Sequence, residues 1–421
     1  MRGGSQTGKA TFGMTFGLAR GGGVDERRDE TCGGGEAAVG ELSVGRLGGS
    51  VESSGHDGTL DTSLGVYVHW PYCARICPYC DFNVHRARDY DAGMVEVILA
   101  DLAQQRELTG ARRVESLHFG GGTPSLMVPG DVARVVDTVD RLWGLDGEVG
   151  LEANPKTGVD AKALRDAGVN RLSFGVQSFH DPALGMLGRD HSGAEAARAV
   201  GDALSVIGDV SVDLIFGWAG QTAALWATDL DRALGLGVPH VSAYQLTVEP
   251  GTAFARAEAR GRGMAVDGDM SAELYDLAEA RLTAEGFEHY EVSNYALDPG
   301  KGGKRSVHNS RYWRGGDYVG AGPGAHGRIT MEGERFATET PRRPADYRAG
   351  PQPTMEALSV EDVRLERLLM GLRLREGVRL SEVEPVELSG LDGLVEVEGG
   401  RLRATPDGWR VLDRVIAELL R

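Results

Sequence analysis

The stretch Pro71–Phe82, PYCARICPYCDF, packs three of the chain's four cysteines into eight positions. The spacing is Cys73-x3-Cys77-x2-Cys80, and Phe82 stands two places further on, where a fourth cysteine could have followed. Thiols this close in sequence make a poor disulfide set, so a metal site in a reducing compartment fits better. Structural zinc is closed by four ligands, usually in two separated pairs, and here His69 or His85 would have to complete the set. A [4Fe–4S] cube takes one cysteine per iron, so three cysteines leave one iron open to a further ligand. The reading favours the iron–sulfur cluster on Cys73, Cys77 and Cys80, with zinc as the alternative.

Upstream of the thiols lies GVYVHW, an apolar strand, and downstream YDAGMVEVILADLAQQREL carries apolar residues at helical spacing. The alternation recurs. VESLHFG, EVGLEAN, RLSFGVQSF, VSVDLIFGW and HVSAYQLTV read as strands, with helical stretches near 130–143, 159–168, 192–206, 221–235 and 271–285. Six strand–helix units in strict alternation predict a parallel α/β sheet with right-handed crossovers, wound open or curled into a partial barrel.

The whole chain divides into four parts. Residues 1–60 are a glycine-rich leader without apolar periodicity, expected to be disordered, and Cys32 within it is discounted as a ligand. Residues 61–300 form the barrel region, and 301–352 form a Gly-, Arg- and Pro-rich connector containing HNSRYWRGGDYVGAGPGAHG. Residues 353–421 read as helix, short hairpin with Gly399-Gly400 at its tip, and closing helix: a winged-helix-like α+β packing domain. A net charge of −17 argues against nucleic acid as a partner. No apolar run approaches the roughly 18 residues of a membrane span, and the first 20 residues lack a signal peptide's apolar core, so a cytoplasmic protein is expected.

Cysteines at C-x3-C-x2-C on the loop after a first strand resemble those of the radical S-adenosylmethionine (radical SAM) superfamily. VYVHWPYCARICPYCDFNVH, LHFGGGTPSL, NRLSFGVQSF, VDLIFGWAGQT and the 308–327 stretch resemble its HemN/HemW group over roughly residues 64–420. The resemblance implies a partial (β/α)6 barrel with its site at the carboxyl ends of the strands. It also implies that the nucleotide's methionine part chelates the open iron of a [4Fe–4S] cluster. By the same resemblance S-adenosylmethionine would meet Tyr67 and Tyr79, the glycine-loop residues Gly121, Gly122 and Thr123, and Glu152, Gln177, Arg189 and Asp213 on later strands and loops.

Two branches of the group must be separated. Oxygen-independent coproporphyrinogen III oxidases have C-x3-C-x2-C-x-C, whereas the HemW-type heme chaperones have C-x3-C-x2-C-x-F and H-N-x-x-Y-W. This chain has Phe82, then His308, Asn309, Tyr312 and Trp313. The resemblance thus implies a heme carrier, with hemoproteins as acceptors, some of them at membranes, and leaves a homodimer open. It argues against an active coproporphyrinogen III dehydrogenase, which stays as the alternative. For heme, His308 offers an axial ligand, Tyr312 and Trp313 flat faces, and Arg311 and Arg314 cations for the propionates. From residue types alone, a buried His-Asn pair with space-filling aromatics explains the motif equally well.

Overall fold

The computed structural model describes residues 63–297 and 304–420; the leader and Cys32 lie outside the described residues. Strand β1 (Ser63–Trp70) is buried on both faces from Leu64 onward, the pattern of an interior strand in a parallel sheet. It is followed by β2 (Arg113–Gly121), β3 (Leu145–Ala153), β4 (Arg171–Gln177), β5 (Val210–Phe216) and β6 (His240–Gln245), each pairing in parallel with its predecessor. The crossovers are α1 (Ala92–Thr109), α2 (Pro129–Trp143), α3 (Ala161–Asp166), α4 (Gly193–Leu204) and α5 (Ala223–Gly235), with α6 (Gly268–Ala284) after β6. Local chemistry sets where they begin. Asp91 caps α1 by accepting from the Met94 N–H, and Ser192 and Glu195 form a capping box at α4.

The sheet does not stop at six strands. Beyond β6 it continues through the antiparallel pair β7 (Phe287–Glu291) and β8 (Asn294–Leu297). Beyond β1 it continues through β9 (Tyr318–Ala321), parallel to β1, and then antiparallel β10 (His326–Met331), β11 (Glu334–Glu339) and β12 (Thr354–Ala357), twelve strands in all. Residues 318–339, expected within a connector, are therefore part of the barrel sheet. The one helix of that region that touches the site is α7 (Val307–Trp313).

One core fills the barrel and its helices; Trp70, Phe119, Phe174 and Trp226 are each at most 2% exposed. Burying a side chain of this class contributes about 1.5–3 kcal/mol. The C-terminal unit has a second core of its own around Leu372, Leu402 and Val415. It comprises α8 (Val360–Gly371), a small sheet of β13 (Val378–Arg379), β14 (Val395–Glu398) and β15 (Arg401–Ala404), and α9 (Leu412–Leu419). The β14–β15 turn is Gly399-Gly400, both at positive φ, as the hairpin reading requires. Among the described residues no helix is long and apolar enough to cross a membrane.

Candidate functional site

The cysteine loop leaves the carboxyl end of β1 and is pinned on both sides. Tyr72–Cys73 pairs with His85–Arg86 in a two-strand ribbon, and the Tyr72 hydroxyl donates to Asp91 at 2.6 Å. Asn83 Nδ2 donates to the carbonyls of Pro323 and Arg342, both at 2.9 Å. Beneath the loop, Tyr67 O–H donates to His69 Nδ1 (3.0 Å) and His69 Nε2–H donates to the Asn83 carbonyl (2.9 Å). That carbonyl can only accept, so the tautomer follows. Burial holds the neutral ring, with its pKa lowered to about 4.

Between these anchors the three thiols are free of disulfides and face one cavity of about 760 Å³. Burial raises the Cys73 thiol, and pushes Cys80 up to about 12. Thiols in such surroundings ionise when a metal's charge is beside them. Donors are in place for the sulfurs: Thr123 hydrogen-bonds Cys73, and Arg189 Nη1 donates to Cys77 Sγ at 3.4 Å. Among the described residues no three His, Cys, Asp or Glu side chains converge on one metal ion. A [4Fe–4S] cube takes one thiolate per iron, so three cysteines spread along one loop can serve three separate irons. The residues fit the cluster.

The strand ends complete the mouth. Gly121 has φ +104, and a Cβ there would come within 2.5 Å of the His69 ring; a Cβ on Gly122 would meet the Tyr72 carbonyl at 2.7 Å. The glycines thus answer to the loop's own packing as well as to any ligand. Glu152 accepts from the Gly121 N–H (3.2 Å) and lies 3.3 Å from His118 Nε2. Gln177 holds φ +67 at an irregularity between β4 and β5, and Arg189 Nη2 is tied to the Gly175 carbonyl at 2.7 Å. Burial pushes the Asp213 carboxyl up to about 6, while Ser173 donates to it. Tyr79 hydrogen-bonds Cys77, and burial holds its phenol protonated.

Helix α7 divides the H-N-x-x-Y-W motif between two faces. Asn309, Tyr312 and Trp313, spaced i, i+3, i+4, line the cavity; His308 and Arg311 lie off that face. His308 is 1% exposed, stacks on His118 (centroids 4.7 Å) and meets Ser116 Oγ at 3.3 Å. Of the residues singled out from the sequence for the site, His308, Arg311 and Arg314 do not line the cavity. Arg311 is consumed by Glu115 and the Asp317 carbonyl, and Arg314 by Glu376, so neither faces a propionate as expected. Glu148, which the sequence did not single out, anchors the helix. Its carboxylate accepts from Ser306 Oγ and from the N–H groups of Val307 and His308 at 3.0–3.3 Å.

The radical SAM superfamily model matches residues 67–232. Over 374 residues the chain is 38% identical to the heme chaperone HemW of Mycobacterium tuberculosis, covering 85% of this chain and 95% of that one. The chain belongs to the HemW family of radical SAM proteins. Another relative is radical S-adenosyl methionine domain-containing protein 1, mitochondrial, of Mus musculus, 40% identical over 78% of this chain and 72% of that one. The solved structure of Escherichia coli coproporphyrinogen III oxidase, HemN, matches with a TM-score of 0.70 over 85% of this chain and 89% of that one. At 20% identity it shows a shared fold. HemW-family membership implies a [4Fe–4S] cluster and S-adenosylmethionine. The site also recruits the C-terminal unit, which the sequence presented as packing only: Arg373, Trp409, Arg410 and Arg414 close the cavity's far end. No local pattern flags them, because they meet the barrel only through the fold.

Proposed function

We propose that this chain is a heme chaperone, holding heme in the cavity and passing it to acceptor hemoproteins. The observation that carries the reading is the continuity of the cavity, which the cysteine loop with Phe82 and the Tyr312–Trp313 face of α7 both line. Its volume lies in the range of sites for drug-sized and cofactor-sized molecules. The relative named heme chaperone HemW supports it along nearly its whole length. When bound, a [4Fe–4S] cluster on Cys73, Cys77 and Cys80 supplies a one-electron donor and an open iron for a chelating ligand.

In this reading the chain's own groups have separate tasks. Thr123 and Arg189 hold the sulfurs, and Glu152, fixed by Gly121 and His118, is oriented for ribose hydroxyls. Gln177 and Asp213 complete the polar wall for the nucleotide. Trp313 and Tyr312 offer the flat faces. Acceptors at a membrane, a homodimer and a cytoplasmic setting belong to the same proposal.

Two incubations test it. The full chain with reconstituted cluster should take up heme stoichiometrically, and should form no protoporphyrinogen IX from coproporphyrinogen III under anaerobic reducing conditions. Catalytic formation of protoporphyrinogen IX would instead establish the oxidase. Heme uptake no stronger than that of an unrelated acidic protein would sink the chaperone.

A further inference from the structure

The far end of the cavity carries groups that cluster and nucleotide leave unused. Trp409 is 5% exposed, and its Nε1 is buried with no acceptor from the protein. Asn294, 3% exposed, has its Oδ1 buried with no donor. Both residues line the cavity. Buried polar atoms of this kind in a native structure mark a place where a ligand or water supplies the partner.

Cations surround them. Arg410 reaches Asp276 at 3.1 Å in a pair whose side chains are 58% and 49% exposed. Arg373 lies 3.6 Å from Asp413, itself 88% exposed. Arg414 forms no ion pair with a described carboxylate. The Arg410–Asp276 pair, exposed on both sides, holds weakly and yields to a competing carboxylate, whereas the Arg373 side chain is itself only 3% exposed. Trp313, with the Arg373 guanidinium 5.8 Å from its ring centre, lines the same cavity.

We propose that the two carboxylates of the bound heme are held here, by Arg410 and Arg414 with the Trp409 N–H as a third donor, while the macrocycle lies against Trp313. This rests on the heme-chaperone reading and adds to it which cations of the chain recognise the ligand. Arg311, held by Glu115, and Arg314, paired with Glu376, do not line the cavity. The C-terminal unit is then part of the binding site, and a heme lacking free carboxylates loses its contacts with that unit alone.

The test compares heme with its dimethyl ester, each titrated into the full chain with reconstituted cluster. The wild type should prefer the free acid by roughly tenfold or more, as expected for charge-assisted hydrogen bonds. Arg410→Gln with Arg414→Gln should bring the two ligands close to parity while leaving ester affinity unchanged; both side chains are exposed, so the fold tolerates the change. Trp409→Phe, which keeps a ring and removes the donor, should cost a smaller part of the same preference. An undiminished preference in the double arginine variant overturns the assignment and leaves the chaperone standing. Equal wild-type affinity for both ligands overturns it too, and uptake of neither removes the chaperone reading itself.

Discussion

The cysteine loop and helix α7 wall the same cavity and are built in opposite ways. The loop is fastened at its ends by Tyr72, His69 and Asn83 and touched between them by Arg189 at Cys77 and by the Phe254 N–H at the Pro78 carbonyl, and it leaves its thiols unbonded to one another and turned to the cavity. Helix α7 is held along its length by carboxylates, Glu148 at its first turn and Glu115 at Arg311. In the loop most of the distinctive side chains, Cys73, Cys77, Tyr79, Cys80 and Phe82, face the cavity. In the helix half of them serve the protein. Residues of a motif therefore share a function only if the backbone turns them to one side.

Removing the thiols is the severest break. The triple variant Cys73→Ala, Cys77→Ala, Cys80→Ala should lose all of the brown absorbance near 400 nm (roughly where thiolate-to-iron charge transfer appears). Its urea midpoint should barely move, because these side chains carry little of the core. A midpoint that collapsed would make the loop as structural as the helix.

Glu148→Ala breaks the other region through stability. It strands two amides at the head of α7 and removes a carboxylate 3.7 Å from buried Arg171. Losing one partner of a buried pair costs about 3–5 kcal/mol. Equilibrium denaturation checks this, and the cluster absorbance should survive.

The loop's anchor has a pH signature. His69 is buried neutral with its pKa lowered from the ordinary 6.5 to about 4, so the unfolded chain takes the proton first as pH falls. That contribution to stability is complete above pH 6.5 and is lost as pH drops toward 4, about 3 kcal/mol in total. Comparing wild type with His69→Gln by urea denaturation at pH 7 and pH 4 isolates it, since Asp213, which acts in the opposite sense, is common to both. A difference between the two proteins that is independent of pH would mean that His69 is charged in the fold.

Glu152→Ala should weaken S-adenosylmethionine by roughly 10- to 150-fold in calorimetric titration, the loss of one charged hydrogen bond. Unchanged affinity would take Glu152 out of the site. The smallest difference separates the faces of α7. Trp313→Leu should weaken heme clearly, whereas His308→Gln should change its affinity by less than about twofold, because His308 lies behind the wall. Equal losses would restore His308 as a ligand.

Periodicity and spacing in the chain were sufficient for the alternating strands and helices and for the cysteine loop, while the curling into a barrel and the polar groups at the strand ends were legible only through the family resemblance. Those signals are local: a parallel strand buried on both faces reads as an apolar run, and thiols packed within eight positions must share a loop. Even the division of α7 was available, since 309, 312 and 313 fall on one helical face. Three things were decided only in the folded chain. Residues 318–357 join the barrel sheet because β9 finds β1 across more than 240 residues. Arg311 and Arg314 are claimed by Glu115 and Glu376, whose positions no nearby pattern announces. The C-terminal unit brings Trp409, Arg410 and Arg414 to the cavity by docking a second core against the barrel edge. Sequence records what each segment prefers by itself; which distant charge neutralises which, and what closes a cavity, depends on surfaces that exist only after the segments have packed.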